Sequence, residues 1–265
     1  MPLAILESII LGIVQGITEW IPISSSAMIS LILANFYNIT DPATLIETAL
    51  FFHLGTFFAA LIYFRKEATQ VFITLFNYKK SNEEEKKTFN FLFWSTLISG
   101  IIGIIILKLL SSVDLSLTGK TITLIIGLFL LFTGIIQIKI RYGSLRAVKD
   151  IKPNDSVVLG IAQGISTLPG ISRSGITISS LLLKKFDDTT ALKLSFLMSL
   201  PIVLIGNILL NLNSFYFSLA GLIGILVSFI FGLLTIHVLM KLSKKINFGW
   251  FVLVFAVLML FSVLI

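Results

Sequence analysis

Residues 15–28 read QGITEWIPISSSAM: a carboxylate, a proline and three consecutive hydroxyls set inside an otherwise apolar segment. How that polar knot is accommodated decides the fold. Of 265 residues, 56% are hydrophobic and 12% charged, whereas soluble domains carry roughly 25% charged residues. The chain is therefore expected in lipid, and a cytosolic small-molecule enzyme is excluded. The formal charge of +7 is assigned to basic residues in cytoplasmic loops rather than to nucleic acid, which is not expected as a partner. With no cysteine, disulfides and thiolate chemistry are ruled out. No cleavable signal peptide is expected, because the amino end lacks a basic start and Glu7 interrupts it.

A helix crossing a ~30 Å hydrocarbon core needs about 20 apolar residues. Six stretches meet this: 44–64, 88–110, 120–138, 191–212, 215–239 and 248–265. Residues 3–17 and 21–36 are each too short, with Pro22 and the serines between them; 157–166 and 171–183 repeat the pattern around Pro169 and Gly170. Short helices broken at proline and glycine read as re-entrant hairpins. Two continuous spans, each kinked at its proline, are the plainer alternative.

Basic residues separate the two readings. If both hairpins return to the face they entered, seventeen of the twenty Lys and Arg fall on one face. They lie in the loop 65–87, in 139–152, at Lys184, Lys185 and Lys193, and at Lys241, Lys244 and Lys245. Lys108 and Lys120 sit at span ends on the other face and can snorkel. Kinked through-going spans would scatter the charge. The positive-inside rule then sets both termini outside the cytoplasm of a multi-pass plasma-membrane protein.

The knot occurs twice. Shifted by 148 residues, LGIVQGITEWIPISSS lies over LGIAQGISTLPGISRS with nine identities in sixteen positions. Each copy is one hairpin plus three spans, repeat one in 1–140 and repeat two in 155–265 of a single integral-membrane domain. Three spans are odd, so the second copy enters from the opposite face. The expected fold is an all-α polytopic membrane protein: six transmembrane helices, two re-entrant helical hairpins and an inverted-topology internal repeat. Broken helices in such repeats usually meet near the midplane at a binding site.

The residues there suit concentrated negative charge. Gln15 and Glu19 are four apart and share a helix face; a carboxylate at membrane depth is a functional-site hypothesis, with structural hydrogen bonding as the alternative. Ser24, Ser25 and Ser26 stand where a second helix begins, either as caps or as phosphate ligands beside free backbone N–H groups. In the second copy Ser172 and Ser174 flank Arg173, which takes the slot of Ser25, and Thr177 lies one turn on. A guanidinium there grips phosphate with two parallel bonds, or pairs with Glu19. A diphosphate brings more negative charge than Arg173 and the helix dipoles offset. A divalent cation, Mg2+ or Ca2+, held by Glu19 and phosphate oxygens would balance it.

QGITEWIPISSS and LPGISRSGIT resemble the two signatures of the undecaprenyl-diphosphate phosphatase family, the integral-membrane bacitracin-resistance phosphatases. HLGTFFAALIYFR and SFLMSLPIVLIG extend the likeness over the chain. The resemblance implies hydrolysis of a polyprenyl diphosphate to the monophosphate and inorganic phosphate, with a divalent cation, recycling a lipid carrier for envelope glycans. It also implies roles: Gln15 and Glu19 as the acidic pair, Ser25 as nucleophile or phosphate ligand with Ser26 beside it, and Ser172, Arg173 and Thr177 as phosphate clamp. Where the family has Gly-His, this chain has Ala27 and Met28. Methionine cannot shuttle a proton, so His53, expected at the depth of the hairpin tips, is the candidate base; helix packing is its other reading. A transporter of polyprenyl phosphate without hydrolysis is the main rival, and a non-catalytic lipid binder a third. The glycine-rich LAGLIGILVSFIFGLL is read as a close-packing or homodimer face.

Overall fold

A computed structural model describes residues 4–21, 23–111, 146–168, 171–211 and 218–242, with scattered positions in 121–138 and 250–261. Among the described residues the chain is helical, with no strand and one isolated bridge between Arg146 and Phe186. The helices are α1 (Ile5–Thr18), α2 (Ser25–Phe36), α3 (Pro42–Tyr63), α4 (Arg65–Asn77), α5 (Glu83–Ser111), α6 (Pro153–Ile165), α7 (Arg173–Leu183), α8 (Asp188–Asn211) and α9 (Leu219–Leu242). Of these, α3, α5, α8 and α9 are long and apolar enough to cross a membrane. The described positions in 121–138 and 250–261 are all helical. The expected breaks at Pro22 and at Pro169 and Gly170 lie outside the described residues.

Four of the short helices come in two pairs, α1 with α2 and α6 with α7, each pair in mutual contact. They run 14, 12, 13 and 11 residues. At about 1.5 Å per residue none reaches across a ~30 Å core. The outer ends of the second pair are tied together. Arg146 donates to both Asp155 oxygens, at the start of α6, and to the Lys184 carbonyl at the end of α7. Its guanidinium also stacks 4.2 Å from the Phe186 ring.

Packing crosses between the halves of the chain. Helix α1 lies against α9, and α6 lies against α5, while α3 packs on both α8 and α9. Glycine makes the first two contacts close. A Cβ at Gly16 would stand 2.7 Å from the Phe231 Cβ and 2.8 Å from the Gly232 nitrogen; at Gly164, its counterpart in the repeat, one would stand 2.6 Å from the Ile102 Cβ. Real carbons do not approach so near, so any side chain there would push the helices apart. Gly221, Gly224 and Gly232 of α9 are buried inside the chain, so the glycines of that stretch form an internal packing face.

The sequence reading of 65–87 as a loop is corrected. Residues 65–77 form α4, and the charged run continues as the first turns of α5. A reciprocal capping box starts α5: Asn82 Oδ1 accepts from the Glu85 N–H at 2.9 Å, and Glu85 Oε2 accepts from the Asn82 N–H at 2.9 Å. Two orphan donors satisfied at once favour a helix over a coil. The start of α5 is exposed and ordered by local chemistry.

Candidate active site

Helix α1 stops at the knot, where Glu19 caps its carboxyl end. Helix α2 then starts at Ser25 with Ser24 as N-cap, its hydroxyl accepting from the Ala27 N–H at 3.3 Å. In the second pair Ser172 plays the same part for α7, accepting from the Gly175 N–H at 3.1 Å. The hydroxyls two residues on are placed alike: Ser24–Ser26 and Ser172–Ser174 are both 3.2 Å apart. Ser24 and Ser172 are thus occupied as caps, one serine in each run, which leaves Ser25 and Arg173 as the matching first residues of two helices.

Those two residues meet at Glu19, which is 5% exposed. Glu19 Oε1 accepts a charge-assisted bond from Arg173. Glu19 Oε2 accepts from the Ser25 hydroxyl at 2.6 Å and from Gln15 Nε2 at 2.8 Å. His53 of α3 brings Nε2 to 2.9 Å from Oε2 and 3.4 Å from the Ser25 oxygen. Its other nitrogen, Nδ1, faces the Ala49 carbonyl at 2.5 Å. A carbonyl only accepts, so Nδ1 carries hydrogen and Nε2 is the nitrogen aimed at the site. Four helices therefore converge on one carboxylate.

Arg173 is held from the far side as well. Its Nη1 donates to the Ser195 carbonyl of α8 at 3.2 Å, and the Trp20 ring lies 5.9 Å from the guanidinium. Thr177 Oγ1 donates to the Arg173 carbonyl at 2.7 Å and lies 2.7 Å from the Ser195 hydroxyl. Ser174 donates to the Ile21 carbonyl at 3.0 Å, joining the two knots directly. Ser195 was not singled out by the motifs. Its only sequence signal is a polar residue inside SFLMSLPIVLIG. Ser26 is half-buried and bonded to Ser24, away from the carboxylate.

The donor set can be weighed against a divalent cation. Among the described residues no group of three or more His, Cys, Asp or Glu gathers. One buried oxygen, Gln15 Oε1, has no hydrogen-bond partner, and it belongs to the side chain bonded to Glu19. Mg2+ is commonly held by one or two carboxylates together with substrate phosphates, so a hard-oxygen pair of Glu19 and Gln15 fits a cation that arrives with its substrate.

Fold and site together define a class: a multi-pass membrane protein with a buried Arg–Glu–Ser–His cluster built at two helix starts. Residues 8–261 match the family described as Bacitracin resistance protein BacA. The chain is 39% identical to an undecaprenyl-diphosphatase of Methanococcoides burtonii, covering 94% of each chain. It is 35% identical to the undecaprenyl-diphosphatase of Methanothrix thermoacetophila, over 93% of this chain and 92% of that one. It is also 35% identical to undecaprenyl-diphosphatase 2 of Halalkalibacterium halodurans, over 98% and 96% respectively. This chain belongs to the BacA family.

Proposed function

We propose that the protein hydrolyses a polyprenyl diphosphate, undecaprenyl diphosphate or a close relative, to polyprenyl phosphate and inorganic phosphate, recycling a lipid carrier for cell-envelope glycan synthesis. Family membership supports the reaction class. The observation that carries the reading is the convergence of Ser25 and Arg173 on Glu19 from two separate helix starts. The names of the relatives favour hydrolysis over transport.

Ser25 Oγ attacks the terminal phosphorus, and its proton passes to Glu19 Oε2, 2.6 Å away. The anhydride P–O bond breaks, and its electron pair leaves with the polyprenyl phosphate. Water then attacks the phosphoserine and gives its proton to His53 Nε2, while Ser25 recovers its own from Glu19. Arg173 and the backbone N–H groups of α2 and α7 hold the charge on the transferring group. Thr177 and Ser195 keep Arg173 aimed; Ser24, Ser26, Ser172 and Ser174 shape the helix starts that receive the phosphates. A divalent cation, Mg2+ or Ca2+, bound through Glu19 and Gln15 would supply neutralising charge to the diphosphate. His53 takes over the proton-transfer task that Met28 cannot perform.

The membrane arrangement belongs to the same proposal: six spans, two re-entrant pairs in an inverted repeat, both termini extracytoplasmic, in the plasma membrane. The clasp of Arg146 across the base of the second pair supports a chain that returns to its entry face. The reciprocal packing of α1 on α9 and α6 on α5 supports the repeat. A homodimer would use a face other than the α9 glycines.

Purified protein given a polyprenyl diphosphate and Mg2+ should release phosphate, and Met28→His should raise the rate. Acid-quenched, labelled phosphoserine at Ser25 would identify the nucleophile; its absence with full turnover would assign the attack to a water that Ser25 orients. Release no greater than a protein-free control, across several cations, overturns the hydrolase. Movement of labelled polyprenyl phosphate across liposomes without release would put a transporter in its place.

A further inference from the structure

The side-chain donors a bound phosphate would use, Arg173 and Ser25, are already spent on Glu19. Its carboxylate collects the guanidinium of Arg173, the hydroxyl of Ser25, the amide of Gln15 and the contact with His53 Nε2. A carboxylate and a phosphoryl group present the same kind of charged oxygen acceptors to an arginine fork. The Arg173 side chain is 15% exposed and that of Glu19 4%, so little water competes for either. The site as built is complete and self-occupied.

We propose that Glu19 is a resident anion plug: it fills the phosphate position on Arg173, and an incoming head group binds only by displacing it. The inference rests on reading Arg173 as the phosphate ligand, and it adds what controls access to that ligand. Displacement need only part Glu19 Oε1 from Arg173, leaving Oε2 on the Ser25 hydroxyl to take its proton. A ligand's apparent affinity is its intrinsic affinity multiplied by the fraction of protein whose site is open. The plug therefore weakens the diphosphate and the monophosphate product by the same factor, and product release is favoured by the same competition.

Binding without turnover tests this. The probes are a geranylgeranyl methylenediphosphonate, which has no cleavable anhydride, and geranylgeranyl phosphate, both titrated in EDTA against detergent-purified protein. Glu19→Gln should bind both about tenfold tighter than wild type, by the same factor for each. In an Arg173→Ala background the same substitution should change nothing. Glu19→Asp, which keeps the buried charge but draws it back by one methylene, should tighten binding in the same direction and decides the matter if Glu19→Gln does not fold. Unchanged or weaker binding in the folded variant, or equal tightening without Arg173, overturns the plug. Hydrolysis by wild type with no tightening in the variants removes this inference alone. Binding with no hydrolysis removes the hydrolase and leaves the plug.

Discussion

The two knots have nearly the same backbone and opposite chemistry. Both begin a helix at a serine cap, both place a second hydroxyl 3.2 Å from the first, and both bury a glutamine one turn before the break. Gln15 donates to Glu19 at 2.8 Å, whereas Gln163 donates to Ser99 at 3.0 Å. Of the seven differences between the aligned copies, the two that change charge fall in two matched slots. Glu19 stands opposite Thr167, and Ser25 opposite Arg173. Duplicating the carboxylate would set two like charges together at depth; duplicating the arginine would do the same with the other sign. One of each gives an attractive pair, and the proposed mechanism divides the labour between them, with nucleophile and base on the first knot and the phosphate clamp on the second. Shared geometry is thus the scaffold, and broken symmetry is the chemistry.

Substitutions can break that comparison, beginning with the clamp. Arg173→Ala should lower phosphate release by about 10³-fold, the scale of losing a principal donor to transferring charge; a modest loss would mean that the second knot is only scaffold. The glycine contacts test the shared scaffold next. Gly16→Leu and Gly164→Leu should each lower stability by about 3 kcal/mol or prevent folding, because each side chain would meet the facing helix of the other half. Thermal unfolding in detergent reads this, and tolerance at one site but not its counterpart would deny the reciprocity. His53→Gln keeps a polar side chain of similar reach but no proton-transfer nitrogen. It should reduce kcat about a hundredfold with KM nearly unchanged, and a change in KM alone would make His53 a packing residue. The smallest effect sharpens the likeness: Ser24→Ala and Ser172→Ala should cost about 1 kcal/mol each, and equally, as lost N-caps.

The sequence carried more of this site than of its surroundings. The repeat, the short helix pairs, and Arg173 with Glu19 as depth-buried charges are all visible as residue types at fixed spacing. So is the serine cap, because capping acts over three residues and needs no distant partner. His53 was reachable only by counting inward along a span, which gives depth but not direction. Ser195 was not reachable, since one serine in an apolar helix has no local mark of what it faces. Within 65–87 the start of α5 was missed because the many charges hid a local capping signal between Asn82 and Glu85.

The sequence by itself determined the lipid environment, the duplicated knot, the helix starts and the two charges that differ between copies. These follow from composition and from interactions within one turn of helix. Only the tertiary structure decided that Arg173 closes on Glu19 across 154 positions of chain, that His53 turns Nε2 toward Ser25, and that α1 and α6 each pack against the other half. The physical reason is that such contacts depend on how glycine-lined faces let whole helices approach, and no single segment encodes the shape of its partner.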